Sequence, residues 1–121
     1  MKCLSVRQPW ANAIFDGTPT LKDVENRTWK TDYRGPLAIH ASLRIDPDPV
    51  LLKTEPRGVL LGMVTLTDIV RDSKSGWAEP GMFHWLLANP QKFKAPIPCS
   101  GRLGIFEIEI PDEALLEAQK G

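Results

Sequence analysis

The sequence predicts a mainly β domain with short helices, of the α+β class: a small β-barrel flanked by two or three short helices. Three observations predict it. Short apolar or alternating segments of strand length recur along the chain. The segments with helical spacing are few and brief. Nine glycines and eleven prolines punctuate them, and that many prolines favour well-defined loops over flexible linkers. A chain of 121 residues suits one domain, residues 1–121. Its core is small but adequate, since a chain this size buries roughly two thirds of its unfolded surface.

Lys2 to Val6 alternates polar and apolar residues, which predicts a short strand. Pro9 suits the first position of a helix. Trp10, Ala11, Ala13, Ile14 and Phe15 then make a short amphipathic helix, with Gly17 as its C-terminal cap. Residues 18–23 form a polar loop. Val24 to Thr31 is a strand, unusually polar through Glu25, Asn26 and Arg27. Tyr33-Arg34-Gly35-Pro36 is a turn, and Leu37 to Ala41 is a buried strand. Asp46-Pro47-Asp48-Pro49 leads into a short helix over 50–54. Gly58 to Arg71 carries the longest β signal, with a bulge or bend at Gly62. Residues 72–81 form a loop. Phe83 to Ala88 is a strand that Asn89-Pro90 ends, and Pro96-Ile97-Pro98 is extended. Leu103 to Ile110 is the last strand. Pro111-Asp112-Glu113 opens a short C-terminal helix with acids in its first turn.

Fifteen Lys and Arg balance fifteen Asp and Glu. A net charge of zero argues against a polybasic, whole-surface nucleic-acid binder. The zero is uneven, however. Residues 1–45 hold seven bases and four acids, and residues 46–121 hold eight bases and eleven acids. A basic N-terminal part hints at a local anionic partner. Cys3 and Cys99 are too few for a disulfide framework or a Cys-rich zinc site. His40 and His84 lack ligand spacing for a metal, so no metal and no cofactor are expected. No apolar run reaches the ~18 residues of a membrane span, and Arg7 and Gln8 come too early for a signal-peptide core. These features predict a cytoplasmic protein with no membrane partner.

The densest polar block is Lys22 to Arg34, KDVENRTWKTDYR. It interleaves Lys22, Arg27, Lys30 and Arg34 with Trp29 and Tyr33. Such a mixture suits single-stranded nucleic acid, because cations hold phosphates and flat rings stack on bases. Along a strand, Glu25, Arg27 and Trp29 share one face, so Glu25 and Arg27 pair on it. Arg7, Gln8 and Trp10 form a second block at the start of a helix, where backbone N–H groups attract anions. His40 is the histidine to consider as a general base. No phosphate loop, dinucleotide glycine fingerprint or nucleophile elbow is present.

These residues together resemble the ASCH domain family, placed beside the PUA RNA-binding fold. Ser5-Val6-Arg7-Gln8-Pro9-Trp10-Ala11 resembles its opening motif, and Gly17 to Trp29, with Lys22, Glu25 and Arg27, its G…K…E-x-R-x-W signature. Tyr33 to Leu37, Ile39-His40-Ala41, Gly58 to Val64 with Asp68, His84-Trp85 and Asn89-Pro90 continue the likeness over almost the whole chain. The resemblance implies a PUA-like barrel with a cleft lined by the opening motif and the K…E-x-R block, and RNA or nucleotide-derived ligands. Some small bacterial members are amidohydrolases on acylated cytidine that use a Lys, a Thr and a Glu, and ribonuclease activity occurs in the family. Lys22 matches that Lys, Glu25 occupies the Thr position, and Asp68 would be the second carboxylate.

Two functions from different classes follow. In the first, a monomeric binding module holds single-stranded RNA or a modified nucleoside or nucleotide through Arg7, Gln8, Trp10, Lys22, Glu25, Arg27, Trp29, Tyr33, Arg34 and His40. In the second, a small hydrolase uses Lys22 with Glu25 or Asp68 as acid and base. A third, a protein-binding adaptor, would place Trp77 at the contact.

Overall fold

The computed structural model describes residues 1–17, 20–45 and 55–115, with only the backbone described at Ile45. Its elements are β1 (Lys2–Gln8), α1 (Trp10–Asp16), β2 (Val24–Arg27), β3 (Gly35–Ile45), β4 (Val59–Val70), β5 (Phe83–Pro98) and β6 (Ile105–Glu107). All six strands form one sheet in the order β2-β5-β4-β3-β1-β6. Every neighbouring pair is antiparallel except β1 and β3, which run parallel and set Ser5 opposite His40. The mainly β fold with short helices is therefore what the chain adopts, as a curled half-barrel.

Strand-to-strand slippage accompanies the curl. From Met63 to Thr65 β4 advances two residues while β5 retreats three, from Gln91 to Ala88. The extra residue lies at Asn89-Pro90, where Asn89 takes a positive φ of 51°, a conformation that asparagine tolerates better than most residues. This corrects the expectation that Asn89-Pro90 ends the strand. The proline sits in a bulge, where no ladder hydrogen bond is demanded of it, and β5 continues through to Pro98. A second shift falls between Leu60 and Gly62, where the bulge was expected. Gly62 also lets α1 approach, because a Cβ there would stand 2.7 Å from Phe15 Cε1.

Both faces of the central strands are covered. Leu4, Val6, Leu37, Ile39 and Ala41 join Ile14 of α1 and Trp85 in one cluster. Cys3, Ala38, Leu60, Met63, Phe93 and Phe106 form the other, flanked by Ile108, Ile110, Ala114 and Leu115. This explains the nearly continuous apolar runs in β3 and β4. Each fully buried Leu or Ile in these clusters contributes roughly 1.5–3 kcal/mol.

Several boundaries differ from expectation: β1 runs on to Gln8, and β3 opens at Gly35, inside the expected Tyr33–Pro36 turn, and runs to Ile45 because pairing with β4 and β1 extends it. β2 stops at Arg27 rather than Thr31, and β6 spans three residues rather than eight. Pro9 caps α1 rather than entering it, and the Gln8–Pro9 bond is cis. Gly17 does follow α1, but in an extended conformation. Its lack of a side chain matters for space, since a Cβ would collide with the carbonyl oxygens of Ala13 and Thr20. A helical turn occupies residues 112–115. The expected turn at 46–49 and helix over 50–54 lie outside the described residues. Among the described residues no helix is long and apolar enough to cross a membrane.

Candidate anion-binding site

The sheet does not close through backbone pairing. β2 lies at one edge of the strand order and β1 is next to the other edge. A side chain spans the distance instead: Arg27 Nη2 on β2 donates to the Ser5 carbonyl oxygen on β1 at 2.8 Å. Beside this seam opens a cleft of about 400 Å³. Its lining includes Arg7 of β1, Arg27 of β2, Arg44 of β3 and Arg102 of the loop between β5 and β6. Ser5, Ser42, His40 and Gly101 also line it, with Leu43 and Leu103. Among the described residues no carboxylate is part of that lining. Arginine forks match phosphate oxygens in pairs, so this arrangement favours anions.

His40 organises one wall. Its Nε2 lies 2.7 Å from the Cys99 carbonyl oxygen, and its Nδ1 lies 2.9 Å from Ser5 Oγ. A carbonyl only accepts, so Nε2 carries the proton and Nδ1 accepts from the Ser5 hydroxyl. Both ring nitrogens are thus engaged within the protein. His40 fastens the start of the 99–104 loop to β3, and that loop carries Arg102 and Leu103. Gly101 makes the close fit possible, since a Cβ there would stand 2.7 Å from His40 Cε1 and 2.8 Å from Ser5 Oγ.

A second charged group sits behind Arg27. Lys22 is buried, and its Nζ donates to the Val24 carbonyl oxygen. The same Nζ lies 3.8 Å from Glu25 Oε2 and 5.8 Å from the Trp77 ring centre. Glu25 Oε1 lies 3.7 Å from Arg27 Nε. Glu25 Oε2 and Arg27 Nε are buried without a hydrogen-bond partner. Burial pushes the Lys22 amine below its ordinary value, with Arg27 acting in the same sense and Glu25 opposing it. Trp77 meets Trp10 edge-on, at 6.5 Å between ring centres, and Trp10 is partly exposed.

The other predicted site residues are placed elsewhere. Gln8 is buried, accepts from the Asn12 N–H and donates to the Asn12 side chain and the Pro56 carbonyl, so it braces the start of α1. Trp29 packs edge-on against Trp85, at 4.7 Å between ring centres. Tyr33 donates its hydroxyl to the Pro36 carbonyl oxygen. Arg34 donates to the Thr31 and Tyr33 carbonyls and lies 3.4 Å from Asp68. Asp68 is thus paired with Arg34 and exposed. His84 accepts from Ser73 N–H and lies 2.7 Å from the Glu79 carbonyl oxygen, holding the 72–81 loop. The structure therefore brings Arg7, Arg27 and His40 together at the cleft, Lys22, Glu25 and Arg27 into one charged group, and Lys22 and Trp10 against Trp77. Among the described residues no cluster of His, Cys, Asp or Glu could hold a metal ion.

Ser5, Ser42, Arg44 and Arg102 were not singled out by sequence reasoning. Arg44 contributes to the basic N-terminal part, which is the one signal that reached it. Arg102 lies in the acidic part of the chain, with no surrounding pattern.

Comparison with known proteins places the chain. A family model described as the ASCH domain matches residues 4–97. Activating signal cointegrator 1 of Homo sapiens is 30% identical over 132 aligned positions, covering 88% of this chain. The protein of the same name from Mus musculus is 30% identical over 131 positions, again covering 88% of this chain. Both alignments cover 22% of the relative's length, so the chain spans about a fifth of these relatives.

Proposed function

The chain belongs to the ASCH domain family, and from that premise we propose that it is a nucleic-acid-binding module that holds single-stranded RNA or a modified nucleotide in the arginine cleft. One observation carries the reading: four guanidiniums line a single cleft of about 400 Å³, and among the described residues no carboxylate lines it. Arg7, Arg44 and Arg102 form no ion pair among the described residues, so their charge is open to a ligand. Phosphates would sit on the guanidiniums, whose paired N–H groups match phosphate oxygens. The chain's zero net charge limits binding to this local surface.

A fluorescence titration with a labelled single-stranded RNA decamer tests the reading. Affinity should fall with salt, and each lost arginine contact should reduce the salt slope by about 0.7. The double variant Arg44→Ala, Arg102→Ala should bind more weakly with a shallower slope. Absence of salt-dependent binding up to tens of micromolar RNA, or a double variant indistinguishable from wild type, overturns it.

One observation favours a second reading, a small hydrolase. Lys22 is a buried amine pushed toward its neutral form, 3.8 Å from a Glu25 oxygen that has no hydrogen-bond partner. An amine that burial makes readier to give up its proton, beside a carboxylate, can serve in proton transfer. In this reading Asp68 has no part, because it pairs with Arg34. Incubation with acylated cytidine and with single-stranded RNA should then give product that Lys22→Ala abolishes. No turnover of either substrate removes this reading.

A further inference from the structure

The size and lining of the cleft, together with its charge, narrow the ligand. Gly101 packs close to His40 and Ser5 within the lining, where a Cβ would stand 2.7 Å from His40 Cε1 and 2.8 Å from Ser5 Oγ. The cleft's volume of about 400 Å³ falls at the lower end of sites for single small ligands, ~300–1,000 Å³. Its four arginines come from four separate elements, β1, β2, β3 and the 99–104 loop. One internal phosphodiester brings a single negative charge. A terminal phosphomonoester brings nearly two, since its second pKa is about 6, along with a third free oxygen. Two apolar side chains also border the cleft: Leu43 is 71% exposed and Leu103 is 98% exposed. They belong to different elements, the end of β3 and the 99–104 loop. A cluster of guanidiniums beside two exposed leucines suits a ligand with a dianionic end and a flat, weakly polar body.

We propose that the cleft takes one phosphomonoester-terminated nucleotide, with its phosphate on the arginines and its base between Leu43 and Leu103. This deepens the proposed function and rests on its assignment of the cleft. The shared chemistry has two sources, a free mononucleotide and the phosphorylated end of a strand. His40 is a positioning residue here: by holding the Cys99 carbonyl it sets the loop that supplies Arg102 and Leu103.

The test measures affinity, at one fixed salt concentration, for an oligouridine octamer with a 5′-phosphate, a 3′-phosphate or neither, and for uridine 5′-monophosphate and inorganic phosphate. One of the phosphorylated octamers should bind at least roughly tenfold more tightly than the unphosphorylated octamer, as expected for added charge-assisted hydrogen bonds. Arg102→Ala and Arg44→Ala should each shrink that preference. Leu103→Ser should weaken uridine 5′-monophosphate and leave inorganic phosphate unchanged. If the mononucleotide matches the phosphorylated octamer, the ligand is the free nucleotide; a tighter octamer assigns the strand end. Equal, salt-dependent affinity for all three octamers overturns the terminal-phosphate proposal and leaves the nucleic-acid reading standing. No binding of any of them overturns both. Arg102 and Leu103 are exposed loop residues, so a change in binding at these positions is separable from unfolding by a thermal melt.

Discussion

The cleft arginines and the Lys22–Glu25–Arg27 group meet at Arg27, and their environments are opposite. In the cleft, Arg7, Arg44 and Arg102 are exposed and face no acid among the residues that line it. Behind it, Lys22 is buried and Glu25 stands between two cations at 3.7 and 3.8 Å. Exposed guanidiniums keep much of their hydration and cost little to hold in place. Buried charges must be compensated by the protein itself. The difference teaches that a basic sequence block can serve two ends. The K…E-x-R segment is largely occupied with its own neighbours, while lone arginines distant in sequence supply the open charge.

The largest effect that would sharpen this contrast is loss of Glu25. Glu25→Ala leaves Lys22 and Arg27 facing each other without an anion. Stability should fall by about 3 kcal/mol, the low end for breaking a buried pair, because neither contact is close. Urea denaturation reads this directly, and a loss below 0.5 kcal/mol would break the contrast between the two groups. Next is Gly101→Ala, which presses a methyl group on His40 and Ser5. It should cost about 1–3 kcal/mol as overpacking and weaken ligand binding by displacing the 99–104 loop.

A smaller effect lies in the pH dependence of stability. Burial lowers the Lys22 amine from 10.5 in the folded chain. Between that lowered value and 10.5 the unfolded chain holds a proton that the folded chain has released. Stability contributed by this position therefore rises with pH through that window. Wild type should gain on Lys22→Met as pH climbs toward 10.5, in paired denaturation curves. Cys3, pushed up to about 12 by burial, acts in the opposite direction above pH 9. It does so in both proteins and cancels from the difference. The smallest effect should come from the cleft: Arg44→Ala or Arg102→Ala should change stability by no more than about 0.5 kcal/mol. A larger loss at either position would give these arginines a structural role and weaken their assignment to a ligand.

Much of the fold was legible because its signals are local. Alternation marked β1 and the second half of β4, and the Pro9–Gly17 bracket marked α1. β5 was not legible as one strand: Pro96-Ile97-Pro98 reads as extended, but Asn89-Pro90 carries a strong local stop signal. What overrides it is a bulge against β4, which exists only after the two strands pair. The same distinction governs the site. Glu25 and Arg27 are two residues apart, and their shared face followed from strand geometry. Arg44 and Arg102 are brought to one cleft by the parallel β1–β3 pairing and by the tie from His40 to Cys99, neither of which leaves a local pattern. Trp29 and Tyr33 looked like stacking rings from composition, but each finds a partner in its own neighbourhood, Trp85 and Pro36.

The bond from Arg27 to the Ser5 carbonyl has a consequence for motion. β2 is only four residues long and pairs with β5 alone, so its amides should be among the first of the sheet to exchange with solvent. The guanidinium that tethers this strand across the seam also lines the cleft. A ligand gripping Arg27 would add a second tether to the same short strand. Its arrival should be visible as slowed deuterium uptake at Glu25 and Arg27, on a strand whose backbone the ligand need not touch.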